Sequence, residues 1–186
     1  MDEFKVPIYL MTGFLESGKT SFLNFTLAQE YFQIDEPTLL ILCEEGEEEY
    51  DKKVLKKSRT SVEVIDSIEE LTTERLVAYD AFYNPGRVII EYNGMWQLKF
   101  LFEHIPDNWT VYQEMCFVDA TTFMNYNANM RSLVVDKLNT CELVVFNRFT
   151  KDMDKMEFHK IVRAVSRRTD IAYEYSDGKV EYDQIE

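Results

Sequence analysis

Cysteine and histidine are scarce in this chain: 186 residues hold three of one and two of the other. Cys43, Cys116 and Cys141 are odd in number and widely spaced, so they form neither a disulfide framework nor a Cys-x-x-Cys metal site. His104 and His159 are equally far apart. Positive charge is also short, with 20 Lys and Arg against 34 Asp and Glu and a net charge of −14. Such a surface repels phosphate backbones and anionic headgroups, which argues against nucleic-acid and membrane-surface partners. No apolar run reaches the roughly 18 residues of a transmembrane helix. The opening Met-Asp-Glu-Phe-Lys-Val-Pro lacks the basic start and apolar core of a secretory signal, so a reduced, cytoplasmic protein is expected. No internal repeat, low-complexity tract or long linker interrupts the chain. Its 46% hydrophobic and 29% charged residues suit a single folded domain over residues 1–186.

Short apolar runs alternate with segments of helical period. That pattern predicts an α/β fold of three layers, a mostly parallel central sheet with helices on both faces. Strands are expected at Val6–Thr12, Thr38–Cys43, Val62–Val64, Arg87–Glu91, Trp109–Asp119, Glu142–Phe146 and Asp170–Tyr175, the last turning through Ser176-Asp177-Gly178 into Lys179–Tyr182. Helices are expected at Lys19–Phe32, Ser67–Phe82, Ala120–Leu138 and Asp152–Arg167. Asp66 and Glu69 stand at capping-box spacing for the second of them. A short helix is expected between the acidic run Glu44–Asp51 and the lysines beyond it, with Glu48 and Lys52 paired at i,i+4.

The most specific feature is Gly13-Phe14-Leu15-Glu16-Ser17-Gly18-Lys19-Thr20, a full match to G-x-x-x-x-G-K-[S/T]. It follows a buried strand and opens a helix, the context a phosphate cradle requires. Backbone N–H groups of such a loop turn inward at phosphate oxygens, and the helix N-terminus adds positive potential. Lys19 is expected to reach the outer phosphates, and the Thr20 hydroxyl to hold Mg²⁺. Gly13, Glu16, Ser17, Gly18 and Ser21 complete the expected cradle. A P-loop needs a second acid at a neighbouring strand end, and Glu91 stands there. Glu91 reads either as that acid or as a solvated strand tip. Asp119 reads as a cap on the following helix.

The segment Val6–Asn24 resembles the start of the CobW-type GTPases, the metal-chaperone group related to the hydrogenase and urease nickel-insertion GTPases. Their loop usually reads G-F-L-G-S-G-K-T-T-L-L-N, so Glu16 here replaces a glycine. Cys43-Glu44-Glu45-Gly46-Glu47 with Tyr50-Asp51 is similar to their switch N-E-F-G-E…I-D. Glu91-Tyr92-Asn93-Gly94 matches their E-x-x-G Walker B motif, and Asn147-Arg148-Phe149-Thr150 lies where N-K-x-D is expected. The resemblance implies a P-loop GTPase domain that binds a nucleoside triphosphate and Mg²⁺. Thr20 and Glu91, with Glu44 and Asp51 of the switch, are its implied metal-holding groups, although Glu44–Glu49 reads equally as a solvated acidic loop. Lys19 and Glu91 are the implied catalytic groups, and Asn147 and Arg148 the base-side contacts. Slow hydrolysis serving a switch or metallochaperone-like role toward a protein partner or metal-receiving target follows from the same resemblance.

Three departures shape the expectation. Thr150 replaces the aspartate that would accept two hydrogen bonds from guanine, which opens the base to GTP or ATP. Asp152 lies two positions late. No cysteine occurs between Asp51 and Val88, where the family carries C-x-C-C, and Cys43 reads as a buried strand-end residue. The family's C-terminal domain has no counterpart, so the chain reads as the GTPase part alone, whether by nature or by truncation before such a domain. A non-catalytic nucleotide-binding regulatory module and a small P-loop phosphotransferase, with Arg131 or Arg148 over an acceptor, are the alternatives.

Overall fold

The computed structural model describes residues 3–185. Its strands are β1 (Val6–Gly13), β2 (Thr38–Leu42), β3 (Thr60–Val64), β4 (Arg87–Glu91), β5 (Trp109–Asp119), β6 (Leu143–Phe149), β7 (Asp170–Tyr175) and β8 (Val180–Tyr182). They form one sheet in the order β3-β2-β4-β1-β5-β6-β7-β8, and every pair is parallel except β7 with β8. The helices are α1 (Lys19–Ala28), α2 (Lys52–Lys57), α3 (Thr73–Tyr83), α4 (Leu98–Phe102), α5 (Phe123–Asn129), α6 (Arg131–Thr140) and α7 (Lys155–Val165).

Strand alternation divides the core between the two faces. Ile8 and Leu10 of β1 join Leu39, Ile41, Val88 and Ile90 against α3 and α4. Further along the same face, Val118, Phe146 and Tyr173 pack on Phe123 of α5, Leu138 of α6 and Phe158 of α7. Met11, Leu40, Ile89, Phe117 and Ala172 point the other way, onto Leu23 and Leu27 of α1. Burying each such aliphatic side chain contributes about 1.5–3 kcal/mol. Burial on both faces is why the central strands read as continuous apolar runs. The expected three-layer architecture is therefore the observed one.

Local boundaries differ where polar side chains compete to cap. Asp66 does not start a helix: Thr72 does, its Oγ1 accepting from the Arg75 N–H at 3.2 Å, while Ile68–Glu70 is a 3-10 turn. Thr72 wins because it stands directly before the apolar positions that face the sheet, including buried Leu76. The stretch expected as one helix from Ala120 to Leu138 is two, broken at Met130 after a run containing Asn125, Asn127 and Asn129. Asparagine side chains compete with the helix for its backbone; that of Asn129 donates to the Asn125 carbonyl. α2 begins at Lys52 with Asp51 as its N-cap, which leaves Glu48 outside the helix and away from Lys52. α1 ends at Ala28, and a 3-10 turn carries the chain through Phe32.

Candidate functional site

β1 is the middle of the sheet, paired in parallel with β4 on one side and β5 on the other. The loop Gly13–Lys19 leaves its carboxyl end, where open α/β sheets hold ligands. Gly18 opens α1 in the left-handed region, at φ 93°. A Cβ there would stand 2.6 Å from Nδ2 of Asn147, so the position admits no side chain. Asn147, in the second half of β6, lies beneath the loop and donates from Nδ2 to the Ser17 carbonyl. Its Oδ1 and the Ser17 hydroxyl are buried and without a partner among the described residues.

Lys19 folds back along this loop. Its Nζ donates to the Gly13 carbonyl at 2.7 Å, to the Tyr92 carbonyl at 3.2 Å and to Glu44 Oε2 at 2.5 Å. The ion pair is almost closed to solvent, with side-chain exposures of 3% and 8%. Glu44 thus places a carboxylate on the one cation at the floor of the cradle. The hollow left at the mouth is about 60 Å³ and is lined by Glu16, Lys19, Thr20, Ser21, Glu91 and Arg148 among others.

At the second residue of α1, the Thr20 hydroxyl donates to Glu91 Oε1 at 2.8 Å. Tyr50 donates to the other oxygen of the same carboxylate. Burial raises the Glu91 pKa above the ordinary carboxylate value, against the pull of both hydroxyls and of Lys19. Burial and the same carboxylate push the Tyr50 phenol far up, so it remains a donor. Gly94 closes the Walker B turn against the loop: a Cβ on it would lie 2.5 Å from the Gly13 carbonyl oxygen and 2.7 Å from the Phe14 Cα. The Phe14 ring stacks on Tyr126 of α5 with centroids 4.0 Å apart.

The acidic segment is tethered across the loop by three hydrogen bonds, while Glu45 to Glu49 stay exposed to solvent. Ser21 donates to Glu48 at 2.8 Å, the Glu47 N–H to Glu16 Oε1 at 2.9 Å, and Asn24 to the Glu49 carbonyl at 2.9 Å. Glu16 is the residue that stands where the resemblance predicts glycine, and its φ is 59°. A non-glycine residue in that left-handed conformation costs roughly 1–2 kcal/mol. Its carboxylate offsets part of this by holding the acidic segment.

Most of the expected residues therefore meet at one place. Asp51 is the exception: its Oδ1 accepts from the Lys53 N–H at 2.8 Å as the cap of α2, and its side chain does not join Thr20 and Glu91. Tyr50, its neighbour, supplies the contact instead, and Ser21 is bridged by Glu48. Sequence reasoning missed both side chains; the Tyr50-Asp51 pair marked the spot but not which member reached inward. Arg148 clamps the loop from outside, donating from Nη1 to the Glu16 carbonyl at 3.1 Å and to Asp119 at 2.8 Å. Asp119 holds Arg148 and the Thr121 N–H of the turn before α5. Cys43 is buried, and burial pushes its thiol up to about 12, which keeps it protonated and a poor metal ligand.

The family model for "CobW/HypB/UreG, nucleotide-binding domain" matches residues 7–172, from β1 into β7. The chain belongs to this family. Two solved structures share the fold. The Zn(II)-bound YjiA GTPase from E. coli superposes with a TM-score of 0.65 at 18% identity, over 95% of this chain and 59% of that one. The hydrogenase maturation factor HypB from Archaeoglobus fulgidus gives 0.62 at 14% identity, over 95% and 84%. The chain thus spans little more than half the length of the YjiA structure. No curated protein sequence matches it.

The donor set fits a hard divalent cation better than a soft one. Thr20 and Glu91 present adjacent oxygens at the loop's inner edge. Among the described residues, no group of three or more His, Cys, Asp or Glu stands close enough to hold a metal ion. No helix among them is long and apolar enough to cross a membrane.

Proposed function

We propose that this CobW/HypB/UreG-family domain binds a nucleoside triphosphate of the GTP type with Mg²⁺ and hydrolyses it slowly as a switch. The observation that carries the reading is the position of Lys19 Nζ, drawn onto the Gly13 carbonyl at the floor of a strand–loop–helix cradle and already matched to an anionic oxygen. A terminal phosphate oxygen has the charge and hydrogen-bonding character of the Glu44 carboxylate oxygen that Lys19 engages. Loop amides from Glu16 to Thr20 and the N-terminus of α1 add donors along the same wall. Thr20 and Glu91 would hold Mg²⁺, which when bound neutralises charge on the β- and γ-phosphate oxygens. Both Glu91 oxygens accept from hydroxyls, so the residue orients Thr20 and Tyr50 rather than taking a proton from water.

The switch is the segment Glu44–Asp51. A phosphate on Lys19 displaces Glu44, and the anchors through Glu48, Glu47 and Tyr50 then let go or re-form. A protein partner or metal-receiving target would read that difference. Single-turnover release of phosphate from GTP is the test, with Lys19→Ala as the control. Release by the wild-type protein that the variant abolishes supports the hydrolase. Tight binding without release supports the second reading, a non-catalytic regulatory module, which the Thr150 substitution in the base motif favours.

A further inference from the structure

We infer that guanine is read by Glu174, on β7, the strand paired with the one that carries the motif expected to do it. The inference rests on the triphosphate reading of the loop. A second, larger hollow of about 540 Å³ adjoins the phosphate hollow and shares Gly18, Ser21 and Arg148 with it. A ligand whose phosphates lie on the loop can place its nucleoside end there, and the volume is in the range of small-molecule sites. Phe22 and Phe25 of α1 and Tyr175 of β7 line it with aromatic surface, on which a flat base can stack. The Phe25 ring is 63% exposed although it belongs to a core-packing helix.

Among the side chains that line this hollow, Glu174 is the single carboxylate. The strand period puts it there: Ala172 faces α1 with Leu23 and Leu27, Tyr173 faces the opposite core, and Glu174 returns to the α1 side. It is half-buried and forms no ion pair or side-chain hydrogen bond with the described residues. Thr150 and Asp152, the two positions of the base motif that could carry an acceptor, do not line the hollow and are exposed.

The chemistry selects one purine. Guanine presents two adjacent donors, N1–H and the 2-amino group, which a carboxylate accepts side by side. Adenine presents a lone pair at N1, which would face the carboxylate lone pairs and leave one oxygen without a donor. Sites that offer hydrogen bonds to a particular edge reject a base that cannot make them.

The test is competitive binding of GTP, ATP and xanthosine triphosphate to the full chain with Mg²⁺, in the wild type, Glu174→Gln and Glu174→Asp. The wild type is expected to prefer GTP to ATP by tenfold or more. Losing a charge-assisted pair predicts that E174Q weakens GTP by about 10- to 100-fold and leaves ATP unchanged. Because its amide can donate to the C2 carbonyl of xanthine, E174Q should also favour xanthosine triphosphate over GTP. E174D, which keeps the charge, should retain the order GTP over ATP. A GTP-to-ATP ratio untouched by E174Q overturns the assignment while leaving the triphosphate site standing. Failure of the wild type to bind any of the three, and inorganic triphosphate as well, overturns both.

Discussion

The Lys19–Glu44 pair makes a prediction that separates two roles for Glu44. In Glu44→Gln the carboxylate is replaced by a neutral amide of the same size. Breaking a buried ion pair from one side costs about 3–5 kcal/mol. Here Lys19 keeps the carbonyls of Gly13 and Tyr92, and glutamine keeps one neutral acceptor. About half of that cost, ~1.5–2.5 kcal/mol, is therefore expected. For a chain of this size it corresponds to a melting point lower by about 3–10 °C without nucleotide. The same free energy returns when a phosphate takes the ammonium, so GTP affinity in the presence of a chelator should rise about 10- to 70-fold. Calorimetric melting and titration with GTP measure both quantities on one sample. An unchanged melting point with unchanged or weaker chelated binding refutes the competition argument. A loss confined to the Mg²⁺-containing titration would instead make Glu44 a metal ligand.

Three further outcomes are expected. Glu16→Gly relieves the left-handed strain at φ 59° but removes the acceptor of the Glu47 N–H, so the melting point should hold or rise while amide exchange at Glu47 quickens about five- to tenfold; unchanged exchange would deny Glu16 its anchoring role. Mg²⁺ should tighten GTP binding, and because burial raises the pKa of Glu91, that gain should fade as pH drops, with a midpoint above the usual carboxylate value of 4.5; equal affinity with and without chelator at pH 8 removes Glu91 and Thr20 from the metal. Burial raises Glu114 to about 7, opposed by the Thr140 hydroxyl. The folded protein therefore holds this proton from pH 4.5 to about 7 while the unfolded chain has lost it, and the stabilisation present below 4.5 disappears by pH 7. Glu114→Gln should flatten that part of the pH profile and raise stability at pH 8 by about 2–4 kcal/mol; an unaltered profile would assign the slope elsewhere.

The strand segments and the loop were legible because each rests on a local pattern. β-branched runs such as Val88-Ile89-Ile90 announce strands buried on two faces, and the spacing from Gly13 to Thr20 specifies a backbone shape. What stayed hidden depends on contacts between distant segments. Tyr50 and Asp51 are adjacent in sequence, and only the start of α2 decides that Asp51 caps it while Tyr50 reaches Glu91. Glu174 gave no signal in an ordinary strand, because its meaning comes from facing Phe22 and Phe25 across a hollow. Helix starts were misplaced where Asp66 and Thr72 could each cap, a choice set by the sheet beneath.

The seating of Gly94 on the backbone of Gly13 and Phe14 has a mechanical corollary. Two turns in such intimate contact have no slack between them, so a displacement of one is handed to the other like motion through meshed gears. Two residues on, Trp96 rests edge-on against Tyr92, with ring centroids 5.8 Å apart. The indole is thereby geared to whatever rearranges where the first strand ends, and its intrinsic emission should report loading of the protein without any attached dye.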